Sequence, residues 1–194
     1  MLGSLYNARV DAAAIQDLLE KLSAGSLSVE EAVVQLRDLP FEKLGDIARV
    51  DHHRELRLGT PEIVYGEGKS AEQIATIMES LNRNGAGALA SRVSPDKAEA
   101  LKTLLPLGVY NDLARSLVIA PKHPRTAGLG TVGVVCAGTS DLAVAEEASI
   151  CLEFLGQKVE RVTDVGVSGL HRLLGVVPRL NACQVLIVDR KSVV

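Results

Sequence analysis

The 194-residue chain is 47% hydrophobic and 23% charged, an ordinary globular composition long enough for one domain with a sizeable core or for two small ones. Its net charge of -3, with 3% aromatic residues and no Trp, argues against a nucleic-acid binder, which needs cations and stacking rings. The longest apolar runs fall short of the roughly 18 residues of a membrane span, and MLGSLYNARVD lacks the pattern of a secretory signal. Three cysteines, Cys136, Cys151 and Cys183, form no CxxC pair, which fits reduced thiols and a cytoplasmic location better than a disulfide framework.

The first segment reads as helical. Ile15, Leu18, Leu19 and Leu22 share one helix face, and Ser28 with Glu31 forms a capping box for a second helix carrying Ala32, Val33 and Leu36 and stopped by Pro40. Ser70 and Gln73 form another capping box, with Ile74, Ile77, Met78 and Leu81 as the apolar face and turn residues from Asn82 to Gly87. Ala88 to Val93 reads as a short strand; Ser94-Pro95 opens a helix that carries Leu101, Leu104 and Leu105 inward. Prolines and glycines between Pro121 and Gly130 mark a boundary, dividing the chain into residues 1–125 and 126–194.

Beyond it the pattern becomes βαβαβ, the opening of a doubly wound parallel sheet. The strands are Thr131 to Cys136, Lys158 to Val165 and Val185 to Val188. One helix carries Val144, Ala148, Leu152 and Leu155 and ends at Gly156; the next carries Leu170, Leu173, Leu174 and Val177, with Pro178 expected to kink or end it. The expected fold is thus α/β: N-terminal helices, a small α/β unit, then an incomplete doubly wound parallel sheet.

Three stretches carry polar chemistry. Asp51 to Lys69 packs two histidines, the cations Arg54, Arg57 and Lys69, and the carboxylates Asp51, Glu55, Glu62 and Glu67 around Gly59, Pro61, Gly66 and Gly68. Cations beside turn residues suit a polar anionic ligand, though a salt-bridged surface turn has the same composition. Ala137-Gly138-Thr139-Ser140-Asp141 follows a strand and opens a helix, offering amides and hydroxyls to a phosphate or carboxylate, or merely a helix cap. Asp164 to Gly169, followed by His171 and Arg172, holds the same place after the next strand, and ligands of open parallel sheets bind at strand carboxyl ends. His171 is equally consistent with a structural role. The adjacent His52 and His53 do not suggest zinc, because neighbouring side chains point apart.

These three motifs, in this order and spacing, resemble the LarB family of carboxylase/hydrolases of nickel-pincer nucleotide synthesis, from about Leu36 to Val188. The α/β core is similar to that of the phosphoribosylaminoimidazole carboxylases (PurE), although Gly-Leu-His-Arg stands where those enzymes have Ser-Ala-His-Arg, and they lack the Asp51–Lys69 signature. The resemblance implies carboxylation of the pyridinium ring of nicotinic acid adenine dinucleotide with carbon dioxide or bicarbonate as co-substrate. Hydrolysis of its phosphoanhydride would then give pyridinium-3,5-biscarboxylic acid mononucleotide and AMP. It implies no organic cofactor and, for the full-length protein, a homo-oligomer, an octamer by similarity to the purine carboxylases; composition and the short apolar runs imply no nucleic-acid or membrane partner. His171 and Asp141 become catalytic candidates; Arg54, Arg57, Lys69, Gly138, Thr139, Ser140 and Arg172 become substrate contacts. Glu62 and Glu67 become candidate ligands of Mg²⁺, which would assist anhydride hydrolysis.

The family adds a cysteine thiolate to the ring to make it nucleophilic, and Cys136, Cys151 and Cys183 do not match that cysteine, reading instead as packing residues. The resemblance ends at Val188, where the family continues into a glycine-rich loop, so a fragment inactive by itself is expected. It would leave apolar faces at Val134, Val135 and Ile187 exposed. An aminoimidazole ribonucleotide carboxylase and a non-catalytic nucleotide-binding module are the alternatives.

Overall fold

The computed structural model describes residues 12–37, 42–44, 48–51, 54, 58–83, 85–125 and 128–189. The chain divides into two compact units, Met1–Glu62 and Ile63–Val194. The 125/126 division read from the sequence falls inside the second unit, between its two sheets.

In the first unit, helix α1 (Ala12–Ser23) packs on α2 (Val29–Arg37), and β1 (Glu42–Leu44) pairs antiparallel with β2 (Ala48–Val50). Among the described side chains of the helix pair, Leu18 and Ala32 are buried whereas Leu19 and Val33 face outward; the side chains of Ile15 and Leu36 lie outside the described residues. Gly25, at φ +68, closes α1: its amide donates to the Leu22 carbonyl, and that of Ser26 to Lys21, as a Schellman motif requires. The Ser28–Glu31 capping box forms in both directions, at 2.9 and 3.1 Å. Pro40 lies outside the described residues.

The second unit opens with a four-stranded sheet in the order β3 (Val64–Tyr65), β4 (Ala88–Ser91), β6 (Ser116–Ile119), β5 (Val109–Asn111). Only β3 and β4 are parallel; the other pairs are antiparallel. Helix α3 (Ala71–Asn82) crosses from β3 to β4 and packs beside α4 (Pro95–Leu104). The Ser70–Gln73 capping box starts α3, and Ile74, Ile77 and Met78 are buried as their spacing predicts. On α4 the expectation fails in part: Leu101 and the following Leu105 are buried, but Leu104 is turned outward. The β5–β6 hairpin had no reading in the sequence. Its turn is local chemistry, the Asn111 side chain accepting from the Ala114 amide at 2.9 Å.

The second sheet is parallel, in the order β8 (Lys158–Val162), β7 (Thr131–Cys136), β9 (Val185–Asp189). Alternation along β7 sends Val134 and Cys136 to α5 (Leu142–Phe154) and Val135 to α6 (Leu170–Asn181), so helices cover both faces. Val134 and Val135 are therefore buried, against the expectation of exposure; Ile187 on the flanking strand is 38% exposed, as expected. The helix stripes are displaced. Leu142, Ala145, Ala148 and Leu152 face the sheet from α5, whereas Val144 is exposed. Leu173, Val176 and Leu180 do so from α6, with Leu170 and Leu174 outside. Helix α6 also runs through Pro178 to Asn181 rather than ending there. Pro178 and Leu174 both lie on the exposed side, where water can satisfy the Leu174 carbonyl left without its donor.

Candidate functional site

In the order β8-β7-β9 the chain steps from β7 to β8 on one side and then crosses to β9 on the other, so a topological switch point lies between the carboxyl ends of β7 and β9. Gly138 to Asp141 stands there. Gly138 is extended, with open space where a Cβ would be, and a short turn from Thr139 to Asp141 leads into α5. Thr139 and Ser140 are exposed, while Asp141 is buried and accepts from the Ser140 hydroxyl at 3.1 Å.

The loop after β8 is fastened to this one. The Gly166 amide donates to the Ala137 carbonyl at 3.0 Å and that of Val165 to Cys136 at 3.3 Å. A Cβ on Gly166 would sit 2.9 Å from the Ala137 oxygen, so only glycine permits this approach. Asp164 holds a left-handed backbone, φ 58, and takes an ion pair from Arg172. His171 and Arg172 lie in the first turn of α6, both exposed. The structure thus brings Gly138, Thr139, Ser140 and Asp141 beside the loop that carries His171 and Arg172. The surroundings are also more acidic than the sequence suggests. Burial pushes the Cys136 thiol up; a hydrogen bond with the Asp164 backbone works against it, and the charges of Asp141, Asp189 and Asp164 add to the rise.

The Asp51–Lys69 segment straddles the two units. In the first, the Arg54 amide donates to the Asp51 carbonyl at 3.3 Å and Glu62 accepts from the Asp51 amide at 2.9 Å. Arg57 lies outside the described residues, as do His52, His53 and Glu55. In the second, Tyr65 to Ser70 links β3 to α3. Gly66 is buried, its amide donating to the Ser91 carbonyl at 2.7 Å; a Cβ there would stand 2.8 Å from that oxygen. Glu67 accepts from the Tyr65 hydroxyl. The Lys69 ammonium donates to the Tyr65 carbonyl at 2.9 Å and that of Lys97 to Gly66 at 3.1 Å, so both brace the loop. Glu62 and Glu67 thus each accept from a protein donor, and no group of three potential metal ligands occurs among the described residues.

Two residues the sequence reading missed tie the four-stranded sheet to helix α5. Arg92, just past β4, adopts φ 54, and its Nε lies 2.7 and 3.0 Å from the two carboxylate oxygens of Glu147 on α5. Tyr65, one strand over in register with Ser91, feels the charges of both. Nothing in the sequence signals this meeting of residues 55 positions apart.

Of the three cysteines, Cys136 is buried, while Cys151 and Cys183 are half-buried. Cys136 is fully buried against α5, and burial raises the thiols of Cys136 and Cys151. Cys183 precedes β9, at the opposite end of the strands from the two loops, and donates to the Arg179 carbonyl at 3.4 Å.

Residues 41–122 match the model of the LarB/PurE-like N-terminal domain. An uncharacterized protein of Methanocaldococcus jannaschii is 32% identical over 182 residues, a stretch covering 90% of this chain and 71% of that protein.

Proposed function

We propose, for a chain that belongs to the LarB/PurE-like family and so to a carboxylase-like group, that its substrate is nicotinic acid adenine dinucleotide. The reaction is carboxylation of the pyridinium ring and cleavage of the phosphoanhydride, giving pyridinium-3,5-biscarboxylic acid mononucleotide and AMP. The observation that carries this reading is the fastening of the Gly138–Asp141 loop, at the switch point, to the loop that bears His171 and Arg172.

The chemistry of the groups supports it. Amides and hydroxyls at Gly138, Thr139 and Ser140 suit ribose and phosphate oxygens. A pyridinium ring is a cation, and the carboxylates of Asp141, Asp164 and Asp189 around the strand ends suit that charge where they would repel a second phosphate. Arg172, already held by Asp164, supplies a cation beside the ring's carboxylate. After the new C–C bond forms, the ring must lose a proton, and His171, exposed in the first turn of α6, is the candidate to accept it.

One observation favours a second reading. Making the ring nucleophilic calls for a thiolate, yet the Cys136 and Cys151 thiols are raised by burial and Cys183 lies at the far end of the strands. A module that binds the dinucleotide without turning it over needs no thiolate.

Incubation with the dinucleotide and isotope-labelled bicarbonate, followed by mass spectrometry, tests both. Labelled biscarboxylate together with AMP supports the enzyme. Calorimetric binding without either product supports the module. Absence of binding overturns both, and turnover of aminoimidazole ribonucleotide would replace them with the purine-type activity.

A further inference from the structure

Arg92 is anchored in an unusual way. Both Glu147 oxygens take the same Nε, and Arg92 Nη1 and Nη2 have no partner among the described residues. The Arg92 side chain is 44% exposed and that of Glu147 only 17%. One flank of the guanidinium is therefore clamped and its outer fork is left open. The residue also accepts a left-handed backbone to stand there, a conformation that bulky side chains avoid. Beside it lies the Tyr65–Lys69 loop, to whose carbonyls Lys69 and Lys97 bring two ammonium groups.

We propose that the open fork of Arg92 grips a planar pair of anionic oxygens, a phosphate or carboxylate of the nucleotide substrate, beside the Tyr65–Lys69 loop. Glu147 is the positioning residue that aims it. A guanidinium fork matches two oxygens at once where an ammonium presents a point charge, and a carboxylate behind Nε fixes its plane. The inference rests on the reading of a nucleotide substrate and adds to it a second anchoring point, on the opposite sheet from the Gly138–Asp141 loop.

The test is calorimetric binding to the full chain of three probes: the dinucleotide, inorganic pyrophosphate and nicotinate. Pyrophosphate binding that depends on Arg92 assigns the fork to phosphate, and nicotinate binding that does so assigns it to carboxylate. R92Q is expected to weaken the relevant probe roughly tenfold to a hundredfold, the range of a charge-assisted bidentate hydrogen bond. R92K should recover less than half of that loss on a logarithmic scale, and E147Q should weaken binding about threefold to tenfold at an unchanged melting temperature. Dinucleotide affinity unchanged in R92Q overturns the proposal while leaving the substrate reading intact. Failure of the dinucleotide to bind, with pyrophosphate still held through Arg92, overturns the substrate reading alone. Full rescue by R92K would reduce Arg92 to a point charge and overturn the fork.

Discussion

The two sheets of the second unit use similar apolar strands to different ends. In the four-stranded sheet, β4 and most of β6 are buried, Leu89 fully so, as are Ile74 and Met78 of helix α3 that covers it. In the parallel sheet only β7 is enclosed; β9, with the equally apolar sequence VLIVD, leaves Val185 54% and Val188 63% exposed, and α6 has no fully buried residue. The contrast teaches that apolarity gives a strand the capacity to be buried, and neighbours on both sides decide whether it is. Parallel strands with this composition are normally covered on both faces.

Stability measurements can break that comparison. Leu89→Ala, in the enclosed sheet, should cost about 2–5 kcal/mol in urea unfolding. Ile187→Ala, on β9, should cost below about 1 kcal/mol because much of the side chain already meets water. Equal losses would mean that β9 is covered in solution.

Backbone approach gives the next largest effect. Gly66→Ala places a Cβ against the Ser91 carbonyl and should destabilise by about 1–3 kcal/mol. Gly138→Ala meets open space in an extended backbone and should stay within about 0.5 kcal/mol, so any loss of dinucleotide affinity it causes belongs to the ligand. Ser70→Ala removes half of the α3 capping box, for about 1 kcal/mol by the same measurement.

Val185→Lys should leave stability within about 0.5 kcal/mol, and if copies of the chain pair through β9 it should lower their association in light scattering, since a lysine on an exposed strand opposes pairing. Unchanged scattering would remove β9 as the contact.

The smallest effect is alkaline. The hydrogen bond to Glu67, then burial, hold the Tyr65 phenol above its ordinary 10.0. The folded state thus favours the protonated phenol, a contribution present below pH 10 and lost as pH rises through the higher folded value. Phenolate absorbance should show Tyr65 ionising late, and Glu67→Gln should bring it back down. A titration indifferent to that substitution would remove the hydrogen bond as the cause.

Much of the frame was legible because it rests on local chemistry. Capping boxes at Ser28 and Ser70, the strand Thr131–Cys136 and its helix partners follow from hydrogen-bond chemistry between near neighbours and from the period of apolar residues. The loop from Gly138 to Asp141 and the turn with His171 and Arg172 could be placed at strand ends for the same reason, and the α/β class followed from strand and helix alternation. Which leucines face inward was less legible: Leu104 and Leu174 sit beside the true stripes, and a helix face about 100° wide admits either neighbour. Tertiary structure alone decided the strand order β8-β7-β9, the clamp of Glu147 on Arg92, and the left-handed turns at Arg92 and Asp164. These depend on residues far apart in the chain reaching one place, and no pattern in a single stretch records a partner 55 positions away.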